Sequence, residues 1–490
     1  MARKATPVML VTANVGSIFE DPSVMLKIWT EEFLSTVTRL EPKFVALHCQ
    51  EVGGKNYEKS MKHVEYFVRL LMSSEELRLF DKIRVFLDED YSSAENFTAL
   101  GNFYFIHESV SDVLIWDFGA LSFIPVKGKE VHSGNIEAVS TKEKSKFPQD
   151  FFPECKWSRK GFLRTRWSLS GTVFDLINIH LFHDASNFIA MESFPSVYCK
   201  NRRRALEHTL ERFHNDEYGP VPFFVFGDFN FRTDTQGVIK KLTDDLKPVR
   251  VQSNKNSDNT KLQYRDDSSQ IILSLGKKEF SHADHQSVFI GNDGHWLKEY
   301  DRELEPFDGR LFEFSITFPP SYPYEENEKG ADRYMKTRCP SWCDRVVLSS
   351  TAKSLVSNIG EPSSVEYGIM GKSTCMGDHK VRAQKHGVEM TFLPLLSLLK
   401  ICWILPRLHA TFISSIRTLQ CGFLRKLQCD SCVTFLFTSK QYSFVYECSE
   451  YSLPVWLFCV MFVQILKLVI LPCVLNVIYL KHWCHYVCWL

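Results

Sequence analysis

The chain has 490 residues, 44% hydrophobic and 24% charged, enough for one large domain or two or three ordinary ones and too apolar for a disordered protein. Its formal net charge is zero, yet ten basic residues against four acidic lie beyond position 380, leaving 48 against 54 before it. A mildly acidic body argues against wholesale binding of nucleic acid. Cysteine is equally uneven. Six of the 15 precede position 381 without a C-x-x-C pair, as in a reduced intracellular protein with no zinc site, and nine follow it.

The N-terminal "MARKATPVMLVTANVG" has only a five-residue apolar run after Pro7. That is too short for a signal-peptide core and predicts a first strand. In chain order, strands are predicted over 8–15, 44–51, 173–181, 222–229 and 345–350, and helices over 21–39, 57–71 and 198–213. Strands alternating with helices over some 380 residues imply an α/β layered fold. The polar stretches 127–150 and 252–300 are expected to be irregular surface insertions.

Beyond His379 the character changes. The apolar run 453–480 reaches membrane-spanning length only if Gln464, Lys467, Pro472 and Asn476 are tolerated inside it. The expectation here is a replaced C-terminus: a domain over 1–380, and a cysteine-rich apolar tail over 381–490 that folds poorly or contacts a membrane.

Each predicted strand ends in polar groups that do not belong in a core: Asn14; Gln50 and Glu51; Asn178 and His180; Asp228 and Asn230 in "FFVFGDFNFR"; Asp344 before its strand; and Asp378 with His379 in "MGDHK". Singly, each has an ordinary explanation. Asn14 and Asn178 suit turns, His180 suits a satisfied core position, and Asp344 suits an ion pair with Arg345. Together they are harder to dismiss, because buried unpaired carboxylates are costly and convergent ones hold a metal or act as acid and base. Asn, Glu and Asp oxygens without cysteine are hard ligands, suited to Mg²⁺. His with Asp makes an oriented acid–base pair. Lys160, Arg164, Arg166, Arg232, Lys336, Arg338, Arg345 and Lys380 lie close in sequence to these positions, and arginine forks fit phosphate. A hard metal, an acid–base pair and a basic surround point to phosphoryl transfer to water.

"FGDFNFR" followed by "CPSWCDRVVL" and then "GDHK" resembles the signature set of the inositol polyphosphate 5-phosphatases, in the superfamily shared with DNase I and the abasic-site endonucleases. "TANVGS", "ALHCQEVGGKNYE", "FPQDFFPECKWSRKGFLRTRW", "NIHLFHDASN" and "FPPSYPY" are similar to the type I branch, which acts on soluble inositol phosphates. The resemblance covers about residues 5–380. It implies a DNase I-like four-layer α-β-β-α sandwich, Mg²⁺ dependence, and hydrolysis of the 5-phosphate of inositol 1,4,5-trisphosphate and of the 1,3,4,5-tetrakisphosphate. By matching motifs it makes Glu51 the metal ligand, with Asn14 beside it and Asp378 nearby. Asp228 orients or deprotonates water, helped by Asn230. His379 contacts the scissile phosphate, oriented by Asp344, and His180 and Asn178 hold phosphate oxygens. Arg164, Arg166, Arg232, Lys336, Arg338 and Lys380 complete the substrate set. A cytoplasmic monomer that binds no nucleic acid is expected.

The sequence departs from the family at Val225, where tryptophan is frequent, and at Pro323, where lipid-acting members often carry lysine. After Lys380 the family continues into a last core strand. Here "VRAQKHGVEMTFL" follows, and Val388 to Phe392 is a poor imitation of that strand. The terminal "HYVCWL" lacks the prenylation box of the type I branch. The rival functions are a superfamily nuclease and an inactive membrane-associated variant.

Overall fold

A computed structural model describes residues 6–153, 158–252, 260–356 and 365–388, all within the first of two compact units, Met1–Leu396. The expectations for the apolar tail, including the run 453–480, lie outside the described residues.

Two mixed sheets face each other. In the first, the strand order is Val365–Ile369, Arg382–Val388, Thr6–Asn14, Phe44–Gln50, Gly101–Ile106, Lys82–Leu87 and Lys129–His132. In the second it is Leu311–Phe312, Asp344–Ser349, Phe223–Asp228, Thr172–His180, Gly161–Leu169, Val113–Asp117 and Ser122–Pro125, with Glu143–Lys146 pairing on Gly161–Leu169. Strand periodicity explains the stacking. Leu10, Ala46 and Tyr104 point from the first sheet into the shared core, where Trp167, Leu176, Phe226 and Leu348 meet them from the second. The alternate residues face outward and are also buried. Met9, Val11, Val45 and Leu47 pack under helices Pro22–Leu40 and Tyr57–Ser73 through Trp29, Phe33 and Phe67. Ile177, Ile179, Val225 and Val347 pack under helix Val197–His214 through Leu206, Leu210 and Phe213. Helix, sheet, sheet and helix therefore form the four layers expected, and both faces of each central strand are apolar because both are covered.

Two expectations are corrected. The stretch 252–300 is not irregular: Lys247–Gln252, Thr260–Arg265, Ile271–Gly276 and Glu279–His282 form a third, antiparallel sheet. Leu273, Leu275 and Phe280 anchor it to the shared core, an alternation hidden among polar residues. In 127–150, Lys129–His132 and Glu143–Lys146 likewise extend the two main sheets.

The second correction concerns the last strand, which is present. Arg382–Val388 runs antiparallel between Thr6–Asn14 and Val365–Ile369, with Thr12 opposite Arg382 and Thr6 opposite Val388. It lies six residues before the position where an imitation was sought. Backbone hydrogen bonding does not require apolar side chains, so the polar "RAQKHGV" completes the ladder that apolar patterning alone did not reveal.

The polar strand ends converge because of strand direction. Thr6–Asn14 and Phe44–Gln50 are parallel, as are Thr172–His180 and Phe223–Asp228. Asn14 is level with Gln50, and His180 is level with Asp228, which pairs with Asp344 on its other side. The C-terminal ends of four strands thus share one rim, the usual place for a site in open α/β sheets.

Candidate active site

At that rim the chain is held unusually close. A Cβ at Gly227 would stand 1.9 Å from the Ile179 carbonyl oxygen, so only glycine lets the two parallel strands run together into Asp228. Glu51 and Asn230, the first polar residues past their strands, adopt left-handed φ values of 57° and 50°. Asparagine tolerates that conformation. Glutamate does so less readily, and such strain concentrates at functional positions.

Asp228 is the hub. Asn14 Nδ2 donates to its Oδ2 across the two sheets at 3.1 Å, and the Asn230 backbone N–H donates to Oδ1 at 2.8 Å. His180 Nε2 stands 3.3 Å from Oδ2, and His379 Nε2 is 4.0 Å away. Burial would raise its pKa, but His379, His180 and Lys160 hold the carboxyl far below the usual range. Asp228 is therefore always anionic, and better suited to orienting water than to retaining its proton.

His379 Nδ1 and Asp344 Oδ2 lie 2.9 Å apart. Burial lowers the His379 pKa, but Asp344, Asp228 and Asp378 overcome it and raise the value to about 10. The ring is an imidazolium at neutral pH, a fixed positive charge with both nitrogens protonated. The suggested ion pair of Asp344 with Arg345 is not formed: Arg345 binds Glu313 and Asp301 instead. Ser321, which lies in "FPPSYPY" but was given no role there, accepts from the Asp344 backbone N–H, and the neighbouring Tyr322 ring lies 4.6 Å from that of His379.

Glu51 faces this pair from the other sheet. Arg159, Lys160 and His180 lie 3.6, 4.0 and 3.8 Å from its oxygens. Burial raises its pKa, but Lys160, Arg159 and His180 outweigh that and bring it to about 2. A Cβ at Gly16 would meet Glu51 Oε2 at 3.0 Å and Asn14 Oδ1 at 3.3 Å, so the glycine leaves a notch lined by a carboxylate and an amide oxygen. Asp378 Oδ1 accepts from Ser17, the next residue, at 3.0 Å. This all-oxygen set fits a hard divalent cation. Among the described residues, Asp228, Asp344 and His379 also place three ligand-type atoms within 4.8 Å of one another. Within that trio His379 Nδ1 is already paired with Asp344 Oδ2, as an oriented acid–base pair would be.

The basic residues divide sharply. Arg232 Nη2 donates to Asn230 Oδ1 at 2.8 Å, and its guanidinium lies 4.3 Å from the Tyr322 ring centre. Arg338 is buried, donating to the Lys277, Thr337 and Asp184 carbonyls, and the charge of Arg232 helps to lower its pKa after burial does. Lys336 is exposed on an open groove with Glu325, Glu326 and Thr337.

Four assignments to substrate are corrected. Arg164 and Arg166 are buried and bonded to Asp175 and Asp216, with Glu143 added at Arg164, in a network that leaves them no role at the rim. Lys380 donates to the Gly371 and Thr374 carbonyls and so pins the loop before Asp378. Asn178, expected at phosphate, lies one layer deeper. Its amide donates to the Cys49 carbonyl and Asn102 Oδ1, and its oxygen accepts from Gln50, so it stitches the sheets together beneath the site. Arg159, unremarked in the sequence, stands at the rim.

Residues 117–381 match the Endonuclease/Exonuclease/phosphatase family 2. The chain is 49% identical to human inositol polyphosphate-5-phosphatase A over 77% of its own length and 92% of that protein's. It is 35% identical to the probable type I inositol 1,4,5-trisphosphate 5-phosphatase of Caenorhabditis elegans, over 76% and 97% of the two chains. The chain belongs to the inositol polyphosphate 5-phosphatases. The phosphatase domain of SPsynaptojanin, crystallised with inositol (1,4)-bisphosphate and calcium ion, aligns at a TM-score of 0.44 and 14% identity, covering 85% of this chain and 93% of that one. Phosphatases of this fold family are metal-dependent, and this 5-phosphatase carries oxygen donors to match at Glu51 and Asn14.

Proposed function

We propose that this 5-phosphatase removes the 5-phosphate of inositol 1,4,5-trisphosphate, and of the 1,3,4,5-tetrakisphosphate, in a Mg²⁺-dependent reaction that ends a calcium-releasing signal in the cytoplasm. The observation that carries it is the convergence of Asp228 and the His379–Asp344 pair at one rim, beside the oxygen-lined notch at Glu51. The trisphosphate is favoured by the name of the worm relative.

Asp228, fixed by Asn14 and the Asn230 N–H, aligns a water oxygen with phosphorus. As the bond from that oxygen to phosphorus forms, the bond to the inositol oxygen breaks; the proton the water loses is balanced by the proton the departing inositol oxygen takes up, giving an inositol hydroxyl and inorganic phosphate. His379, held by Asp344, and Lys160 beside His180 face the phosphoryl oxygens with positive charge, and Asn230 and Arg232 flank them. Mg²⁺ held by Glu51 and Asn14, near Asp378, would supply further neutralisation of the transferring group. Catalysis is then mostly positioning and electrostatics.

Phosphate release from inositol 1,4,5-trisphosphate by the purified chain, with Mg²⁺ and with a chelator, tests this. Release that requires the metal is expected; cleavage of abasic DNA with no phosphate release would instead support the nuclease reading. Glu51→Gln should raise the Mg²⁺ concentration needed for half-maximal rate while circular dichroism stays unchanged, since a neutral amide is the poorer hard ligand. An unchanged Mg²⁺ requirement would remove Glu51 from the metal site.

A further inference from the structure

Arg159 is a basic side chain at the rim to which neither the strand ends nor the motif comparison gave a role. It is built into place rather than hung on the surface. Past Glu51 the chain turns through Gly53 and Gly54, with the Gly54 N–H on the Glu51 carbonyl at 2.9 Å. The turn offers the Gly54 carbonyl to Arg159 Nη1 at 3.0 Å. The guanidinium lies over the Tyr57 ring at 5.2 Å, and Tyr57 is itself braced by Phe97 at 5.0 Å and Tyr91 at 5.8 Å. Arg159 Nη2 stands 3.6 Å from Glu51 Oε2, close enough for attraction but too long for a hydrogen bond. The side chain is 22% exposed and that of Glu51 24%, so neither is sealed in the core. Its neighbour Lys160 faces the inner oxygen of Glu51, next to His180, where the scissile group belongs. Lys55, on the same turn, pairs with Glu20.

Two arginine positions therefore serve the rim from separate supports. Arg232 reaches it beside Asn230 and Tyr322, and Arg159 reaches it beside Glu51 and Tyr57. A substrate with several phosphates on one ring presents anions away from the reacting one, and a braced guanidinium fork suits such a group. We propose that Arg159 is a specificity-determining residue that binds a second ring phosphate, one that is not cleaved, from the Glu51 side of the rim. This rests on the proposed inositol phosphate activity. The plainer role, neutralising Glu51, would affect every substrate alike.

The test is substrate preference, which cancels any loss of folded enzyme. Phosphate release is measured for inositol 1,4,5-trisphosphate, 4,5-bisphosphate and 1,5-bisphosphate, with the parent, Arg159→Ala and Arg159→Lys. In Arg159→Ala the ratio of kcat/KM for the trisphosphate over one of the two bisphosphates should fall roughly tenfold to a hundredfold, as expected for losing a hydrogen-bonded charge contact. The change should sit in KM, because the contact exists before and during the reaction. Arg159→Lys should restore part of the ratio, keeping the charge without the fork. Ratios equal to the parent's in Arg159→Ala, whatever the overall rate, would overturn the proposal while leaving the activity standing. A parent that releases phosphate from none of the three would overturn the activity as well.

Discussion

His379 and His386 stand seven residues apart on one run of chain, both buried, and they are opposites. His379 lies among Asp344, Asp228 and Asp378, which raise its pKa to about 10 against the effect of burial. His386 faces the shared core from the last strand, stacked on Phe224 at 5.5 Å, where burial alone lowers it to about 4. Among the described residues, the unpartnered buried polar atoms other than Trp29 Nε1 and Trp116 Nε1 follow the same division. At the rim they are His180 Nδ1, Asp344 Oδ1, and Arg232 Nε and Nη1, next to groups that would handle an anion. On the last strand they are Arg382 Nε and Nη1, Gln384 Oε1 and His386 Nε2, on a face turned to Phe318 and Phe224. Burial is equally costly in both places. What differs is whether counter-charges were brought along, and only the rim has them.

The largest test of this contrast is Asp228→Asn, which keeps the shape of the hub and removes its charge. Turnover should fall about 10²–10⁴-fold with the circular dichroism spectrum unchanged. A rate within twofold of the parent would detach Asp228 from the chemistry.

Arg164→Met breaks a buried charge network away from the rim. Asp175 and Asp216 keep Arg166 but lose one of their two cations, and Glu143 loses its Arg164 contact, so urea unfolding should show a cost of about 1–3 kcal/mol. The folded fraction should keep the parent's KM, and a raised KM at unchanged stability would return Arg164 to the substrate.

The two histidines should then show opposite pH limbs. His379 is raised, so its contribution to stability is complete below the unfolded value of about 6.5 and is lost as pH rises through about 10. Unfolding of His379→Gln should lack that alkaline loss. His386 is lowered, so the parent keeps its stability above about 6.5 and loses it as pH falls towards about 4, because the unfolded chain takes up the proton first. His386→Phe should remove this acid loss; it deletes the unpartnered Nε2 but also the Nδ1 paired with Gln384 Nε2, so stability at pH 7 should stay within about 1 kcal/mol of the parent's. A variant that keeps the parent's acid loss would mean that a group other than His386 takes up the proton.

Much of the fold was legible because burial on both faces leaves continuous apolar runs. The strands predicted at 8–15, 44–51, 173–181, 222–229 and 345–350 are found within two residues at each end. The third sheet and the last strand were not, since Thr260–Arg265 and Arg382–Val388 carry polar residues at most positions and are held by pairing with neighbours distant in sequence. In the site, Asp228, Asn230, His180, Glu51, Asp344 and His379 were legible as polar groups breaking apolar strands. Arg164, Arg166, Lys380 and Asn178 misled for a shared reason. Their sequence neighbours are at the rim, but strand alternation or loop direction carries their side chains elsewhere. Arg159 left no such signal, being one basic residue in the polar run "KWSRKG".

By itself, then, the sequence determined which strands are covered on both faces and which residue types stand at their ends, because those follow from local pattern and the cost of burying charge. Tertiary structure alone decided which cations face the site and which neutralise buried carboxylates, and gave His379 and His386 opposite charge states. Those outcomes depend on distances between side chains far apart in the chain, such as Asp344 to His379 and Asp175 to Arg164, and on how much water is excluded around them.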